Sequence, residues 1–195
     1  MRTLTVITVA ALALTACNPM KNSTTANTID VGETMTVPPN DSSNGNTAKN
    51  ETVAVHLTTS EYVTKAAMGD MFEIAASKLA LTNAASPGIK KFAQSMIDGH
   101  MVTTNGLKAA IAKGQVKASL PAMLDVEHKS LLEGLIKAKG AAFDTLYKKQ
   151  QADAHVQALA VHRGYAESGD DTALKAFASE TAPKVQMHLD MLNAM

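Results

Sequence analysis

From residue 58 to the C-terminus, apolar residues recur every three or four positions, which is the spacing of one face of an α-helix. Cap residues divide this pattern into segments. Ser86 is a typical N-cap residue, and Pro87 after it is typical of the first position of a helix. Thr59 or Ser60 is expected to cap the first helix, and Gly140 is expected to end the third helix. Five helices are predicted, over residues 60–83, 87–113, 125–139, 141–168 and 171–195.

Four of these helices are long, and the short third one lies in the connection between the second and the fourth. This order gives a hairpin, a crossover and a second hairpin. It is the connectivity of one version of the four-helix bundle. The predicted fold is therefore all-α, a ferritin-like antiparallel four-helix bundle with a short extra helix in the crossover, built by residues 58–195.

The N-terminal part of the chain has a different pattern. A basic Met1-Arg2 precedes an apolar run over residues 4–14, which has the length of a signal peptide rather than of a bilayer span. Leu14-Thr15-Ala16-Cys17 then resembles the lipobox of bacterial lipoproteins, in which the signal is cut before the cysteine and the cysteine is acylated. We predict a lipoprotein signal peptide over residues 1–16 and lipidation at Cys17. The alternative is an ordinary secretory signal, which leaves Cys17 as a free thiol.

Residues 17–57 are rich in Asn, Thr, Ser, Gly and Pro, and they bury too little apolar surface to fold alone. We interpret them as a disordered tether between the lipid anchor and the helical domain. Asn18 rather than Asp after the cysteine favours the outer membrane over the inner one. The sequence thus predicts a periplasm-facing lipoprotein of the bacterial cell envelope whose membrane contact is its N-terminal lipid.

Charge and cysteine usage narrow the class of protein. Lys and Arg number 18, as do Asp and Glu, and no basic stripe is present, so nucleic acid is not an expected partner. Cys17 is the one cysteine, which excludes an internal disulfide and a thiolate metal cluster. The sequence has no Gly-x-Ser-x-Gly motif and no glycine-rich phosphate loop, so no catalytic residue is predicted.

Several ionisable residues fall on or beside the apolar faces of the predicted helices. Projection at 100° per residue places three histidines on apolar stripes, which are His100, His128 and His188. A second line of polar residues follows the edge of the long fourth helix and consists of Asp144, Gln151, His155 and His162. Another carboxylate is flanked by small residues in the first helix. Imidazole and carboxylate groups that converge in a bundle core are typical metal ligands. The candidate ligands for zinc, iron, manganese or copper are Glu73, His100, His128, Asp144, His155 and His188.

Two other interpretations stay open at this point. Buried histidines and carboxylates can also satisfy one another in a hydrogen-bond network that fixes the helix register. Four methionines near His100 and His188 favour copper, although methionine at helical spacing also fills cores. These are Met96, Met101, Met187 and Met191. A di-iron centre of the Glu-x-x-His type is disfavoured, because neither His100 nor His155 nor His188 follows a Glu at that spacing.

From about residue 59 to Met195 the sequence resembles the bacterial family called domain of unknown function 4142. The resemblance rests on five stretches, residues 67–73, 91–100, 142–144, 153–155 and 174–178, together with His128, Tyr147, Pro183 and His188-Leu189. It implies a ferritin-like fold and an envelope location, and it supplies no activity. It adds Asp98, Tyr147 and Asp153 to the candidate ligands as supporting polar positions. One departure is Gly99, where a second acid is common.

The functional hypothesis is an envelope lipoprotein whose helical domain binds a transition metal through an inward His/carboxylate cluster. One alternative is a non-catalytic structural or interaction module of the envelope. The other is a ferritin-like metalloenzyme that acts on oxygen or peroxide.

Overall fold

The structure is a computed structural model that describes residues 56–195. The predicted signal peptide, the anchor at Cys17 and nearly all of the predicted tether lie outside the described residues. The described part contains five helices: α1 Thr59–Asn83, α2 Pro87–Gly114, α3 Val126–Lys137, α4 Gly140–Ser168 and α5 Thr172–Asn193. Within residues 56–195, no helix is both long and apolar enough to cross a bilayer.

The four long helices form a ring in which every neighbour runs antiparallel. Helices α1 and α5 each pack against both α2 and α4. Ala84, after the end of α1, pairs with Gly140 at the start of α4. At the other end of the bundle, Tyr62 of α1 stacks on Tyr165 of α4 with ring centroids 4.0 Å apart. Helix α3 lies in the connection that returns the chain from the end of α2 to the start of α4. The predicted all-α bundle with its crossover helix is confirmed.

The ends of the helices follow the local sequence, with two differences from the prediction. The N-cap of α1 is Thr58 rather than Thr59 or Ser60, because Glu61 at the third helical position completes a capping box with Thr58. Gly140 does not end α3. It begins α4 with a φ of 61°, a left-handed conformation that glycine adopts without steric cost.

Two apolar clusters occupy the two ends of the bundle, and a polar layer lies between them. The first cluster includes Phe72, Ala76, Phe92, Met96, Phe143, Tyr147 and Leu192. The second includes Tyr62, Val63, Leu107, Tyr165, Leu174 and Ala178. Near the middle of the four long helices are buried polar residues: Asp70, Glu73, His100, Thr103, His155, Thr181 and His188. We call this set the central polar layer.

Candidate metal centre

Three histidines from three helices meet in the central polar layer: His100 of α2, His155 of α4 and His188 of α5. All three side chains are buried. Their ring centroids are 5.5 to 5.9 Å apart. Each ring offers one nitrogen, and the three nitrogens lie within 4.8 Å of one another. This spacing is small enough for one ion to contact all three rings.

Each of the three histidines lies on the buried face of its helix. His100 follows the buried Met96 by one turn, and His188 stands between the buried Val185 and Leu192. His155 stands on α4 one turn before Leu159, which is also buried. Side chains three or four residues apart share one face of a helix, so the apolar neighbours fix the direction in which each imidazole projects.

One nitrogen of each of two rings is held by an oxygen. Nδ1 of His100 donates to Oδ1 of Asp70 at 2.7 Å and lies 3.3 Å from Oε2 of Glu73. Nδ1 of His155 donates to the backbone oxygen of Gln151 at 2.8 Å and lies 3.0 Å from Oε1 of Glu73. These contacts orient both rings and turn Nε2 of each ring away from the oxygens that its Nδ1 contacts.

The remaining nitrogens have no hydrogen-bond partner among residues 56–195. They are Nε2 of His100, Nε2 of His155 and Nδ1 of His188, all three buried. A buried polar atom without a partner costs free energy, of the order of 1–3 kcal/mol. Three such atoms on three adjacent rings are unusual in a native core, and they are compatible with a bound ion.

Asp70 is already satisfied, in contrast to the three nitrogens. Its carboxylate accepts from His100, from the Thr103 hydroxyl at 2.9 and 3.0 Å, and from the Thr104 hydroxyl at 2.9 Å. Asp70, Glu73 and His100 also lie close enough together to be a ligand set. Because the oxygens of Asp70 have their donors, this set has less need of an ion than the three histidines have.

The charges of the layer are coupled. Burial works to raise the pKa of Glu73, but His100 and His155 next to it hold that pKa below its usual range. Burial works to lower the pKa of His100, but the carboxylates of Glu73 and Asp70 raise it to about 9. Burial, together with the neighbouring His100, lowers the pKa of His188 to about 4. Glu73 is therefore ionised beside a protonated His100, and a metal ion that bound His100 through Nε2 would have to replace a proton on that ring.

A cavity of about 510 Å³ connects this layer with the surface. Helices α1 and α4 form most of its wall. Its floor is made by Asp70, Glu73 and His100, with His162 beside them. The buried His162 accepts or donates through Nδ1 at 3.0 Å from the hydroxyl of Tyr62, and burial lowers its pKa to about 4.

The structure brings together four of the six predicted ligands: Glu73, His100, His155 and His188. It does not bring in the other two. His128 lies at the mouth of the cavity, where its Nδ1 is 2.8 Å from Oδ1 of Asp125 and its ring packs on Phe72.

Asp144 lies far from the three histidines and has a structural role. It precedes His155 by eleven residues on α4, about 16 Å along the helix axis at 1.5 Å per residue. Its two oxygens accept from the backbone N–H groups of Ala85 at 3.0 Å and Ser86 at 2.9 Å. Asp144 thus holds the turn between α1 and α2, and both of its oxygens are engaged there.

The three residues predicted to support the site also lie elsewhere. Asp98 accepts from the amide of Gln94 at 3.0 Å on the surface, and Asp153 pairs with Lys149 at 2.7 Å on the surface. Tyr147 is buried and its hydroxyl is 2.8 Å from that of Ser77 in the first apolar cluster.

Asp70 and Thr103 were missed as candidates, although the sequence carries a signal for both. Asp70 precedes Glu73 by three residues and Thr103 follows His100 by three, so each pair shares one face of its helix. A polar pair at this spacing on each of two neighbouring helices predicts a buried contact between them.

The fold and the layer define a helical-bundle protein with a buried histidine and carboxylate cluster. Residues 44–195 match the family described as Domain of unknown function (DUF4142). The chain belongs to this family, and the resemblance drawn from its motifs is confirmed.

Two further comparisons bear on the fold. No curated protein matches the sequence significantly. A solved structure described as CopM in the Cu(II)-bound form superposes with a TM-score of 0.60 at 17% sequence identity. The match covers 71% of this chain and 95% of that chain. At this identity the similarity establishes a shared fold.

Proposed function

We propose that this protein binds one divalent transition-metal ion between His100, His155 and His188, with copper(II) as the first ion to test. One observation carries the proposal. Three buried histidine rings on three different helices lie with their centroids 5.5 to 5.9 Å apart, and one nitrogen of each comes within 4.8 Å of one nitrogen of the other two. Each ring also has a buried nitrogen with no hydrogen-bond partner within the described residues. A network that served only to fix the helix register would be expected to pair these atoms with one another or with neighbours.

The two carboxylates support the same arrangement from the opposite side. Metal-binding histidines usually donate their other ring N–H to a carboxylate or a backbone carbonyl, which orients the ring and raises its basicity. The Nδ1 atoms of His100 and His155 make such contacts with Asp70, Glu73 and the Gln151 carbonyl. In this proposal Glu73 and Asp70 orient the ligands and balance the charge of the ion.

The donor set favours copper or zinc over manganese. Imidazole nitrogen suits zinc, copper, iron and nickel, whereas manganese prefers oxygen ligands. Copper(II) stands at the top of the affinity order for divalent ions at such sites. The solved structure with the same fold is described as Cu(II)-bound, which supports copper as the first ion to test. The proposed activity is binding and holding of the ion, without a chemical reaction.

The test is metal analysis and copper(II) titration of the full-length protein, purified without chelator or affinity tag. We expect one equivalent of metal in the wild type and its loss in His155→Ala. His128→Ala is the matched control, because His128 lies outside the three-histidine cluster and should keep the full equivalent. If the wild type binds none of copper, zinc, iron or manganese while His155→Ala lowers only its thermal stability, the proposal fails. The layer then fixes the helix register, as a structural or interaction module would require.

We also propose that the protein acts in the bacterial cell envelope, anchored through lipid on Cys17. The lipobox and the absence of any other cysteine in the sequence support this address. Incorporation of labelled palmitate into the wild type, lost in Cys17→Ala together with membrane association, is the expected result. A wild type that takes up no label and fractionates with the released periplasmic proteins would leave an ordinary secretory signal as the explanation.

A further inference from the structure

The cavity that reaches His100 and Glu73 is lined by acidic side chains both at its mouth and at its floor. Its mouth is lined by the exposed carboxylates of Glu61, Asp125 and Glu127, which outnumber the one ammonium group there, Lys65. Its floor is lined by carboxylates once more, those of Asp70 and Glu73, with His100 beside them.

The wall between mouth and floor is built from small side chains on the two facing helices. Ala66 and Gly69 of α1 and Ala154 and Ala158 of α4 line the cavity. A Cβ built on Gly69 would meet nothing within 4 Å. The helices therefore leave an open passage at this height of the bundle, whereas large side chains fill the apolar clusters above and below it.

Glu73 marks the end of this passage. Its side chain is 1% exposed and lines the cavity. Its Oε1 lies 3.0 Å from Nδ1 of His155, and its Oε2 lies 3.3 Å from Nδ1 of His100. Glu73 is thus a lining residue of the cavity that contacts two of the three proposed ligands.

We propose that this cavity is the path by which the cation reaches the histidines, and that Glu73 is the last carboxylate to bind it on the way. The inference rests on the proposed function and deepens it, because it identifies the incoming form as a free or hydrated cation. A cleft lined by one sign of charge concentrates ions of the opposite sign and raises their association rate by about 10- to 1,000-fold. The carboxylates at the mouth attract the cation, and the small residues of the wall make the passage wide enough for it.

The first experiment blocks the passage and follows copper(II) loading of the full-length protein by stopped-flow absorbance. Ala158→Phe places a ring in the cavity wall, and Ala160→Phe places the same ring on the exposed side of the same helix. We expect Ala158→Phe to load about tenfold more slowly or worse, because entry then requires a conformational change, with the final stoichiometry unchanged. Ala160→Phe should load at the wild-type rate.

The second experiment tests the charge of the mouth and decides the question by itself if Ala158→Phe does not fold. Glu61→Gln combined with Glu127→Gln should lower the loading rate at low salt by about threefold or more and weaken its dependence on ionic strength. Glutamine also forms a capping box, so α1 keeps its cap. Glu133→Gln is the control, because Glu133 is exposed on α3 and does not line the cavity.

The outcomes separate this inference from the proposed function. A wild type that loads no metal overturns both. A wild type that loads one equivalent, with the blocked and neutralised variants loading at the wild-type rate, overturns the path alone and leaves the three-histidine site intact. Slow loading at full stoichiometry in the variants, with normal controls, supports the path.

Discussion

Gly99 makes room for one of the three proposed ligands, and this gives a sharp prediction. A Cβ at position 99 would lie 2.8 Å from Cε1 and 3.2 Å from Nε2 of His188. Carbon atoms rest about 3.5–4.0 Å apart, so the His188 ring would have to retreat by about 0.7–1.2 Å to admit the methyl group of Gly99→Ala. Metal–nitrogen distances tolerate only about 0.2 Å of change. The methyl group should therefore remove His188 from the ligand set.

The expected effect on metal affinity is large, whereas two opposing contributions determine the effect on stability. Loss of one hydrogen bond that orients a metal ligand typically weakens metal binding about 10- to 100-fold. Loss of the ligand itself should weaken metal binding at least as much. An alanine in the interior of α2, however, is favoured over glycine by about 0.5–1 kcal/mol, because glycine loses more backbone entropy on folding. At position 99 this gain is opposed by displacement of the buried His188 ring, and overpacking of a core typically costs about 1–3 kcal/mol. The metal-free Gly99→Ala protein should therefore be no more stable than the wild type.

Copper(II) competition titrations against a chelator of known affinity, together with thermal unfolding of the metal-free protein, measure both effects. Gly134→Ala is the matched control. Its Cβ would lie 3.6 Å from Leu146, an ordinary contact, and α3 supplies none of the three histidines. This control should gain about 0.5–1 kcal/mol of stability, because no clash offsets the helix preference for alanine, and it should keep the wild-type affinity. A folded Gly99→Ala protein that binds copper(II) as tightly as the wild type would refute the assignment of His188 as a ligand.

Three predictions concern the metal-free protein, and chemical or thermal unfolding tests each of them. Gln151→Leu should raise the free energy of unfolding by about 1–3 kcal/mol, because both amide atoms of Gln151 are buried without a partner in the described part of the chain. The pKa of His162 is lowered to about 4, mainly by burial, so between that pH and the ordinary value of 6.5 the unfolded state binds more protons. Stability should therefore fall as pH drops through this window, and His162→Leu should flatten part of that slope while the control His56→Ala, at an exposed position, leaves it unchanged. Asp144→Ala should lower the free energy of unfolding by about 1–3 kcal/mol, because two backbone N–H groups lose their acceptor, whereas Asp153→Ala on the surface should change it by about 0.5 kcal/mol at most.

The bundle could be predicted from the sequence because each helix carries its own boundaries and its own apolar face. Ser86 and Pro87 begin α2 as predicted, and the periods around His100 and His188 point both rings inward as predicted. The same reasoning placed His155 at the edge of its helix, yet this side chain is fully buried. Helix α4 packs against both α1 and α5, so two adjacent lines of its side chains are covered rather than one.

The positions of His128 and Asp144 depend on tertiary packing that the period of a helix does not encode. His128 does lie on the inward face of α3, but α3 packs outside α1 and α4, so this face meets Phe72 and the mouth of the cavity. Asp144 is near the beginning of α4, where the antiparallel arrangement brings it beside the turn that follows α1. Whether a polar residue near a helix end serves a turn or a site is decided by the neighbouring helix.

The distribution of unsatisfied atoms in the central polar layer is the main argument for an ion. Burial of Asp70 and Glu73 between two apolar clusters is costly, and the protein offsets much of this cost with hydroxyl and imidazole donors. Seven buried side-chain atoms of the described residues have no hydrogen-bond partner, and three of them are ring nitrogens of His100, His155 and His188. These three rings are adjacent, and one nitrogen of each comes within 4.8 Å of one nitrogen of the other two, which is within the reach of one cation. The carboxylate groups beside these rings favour a cation, so geometry and charge support the same proposed occupant.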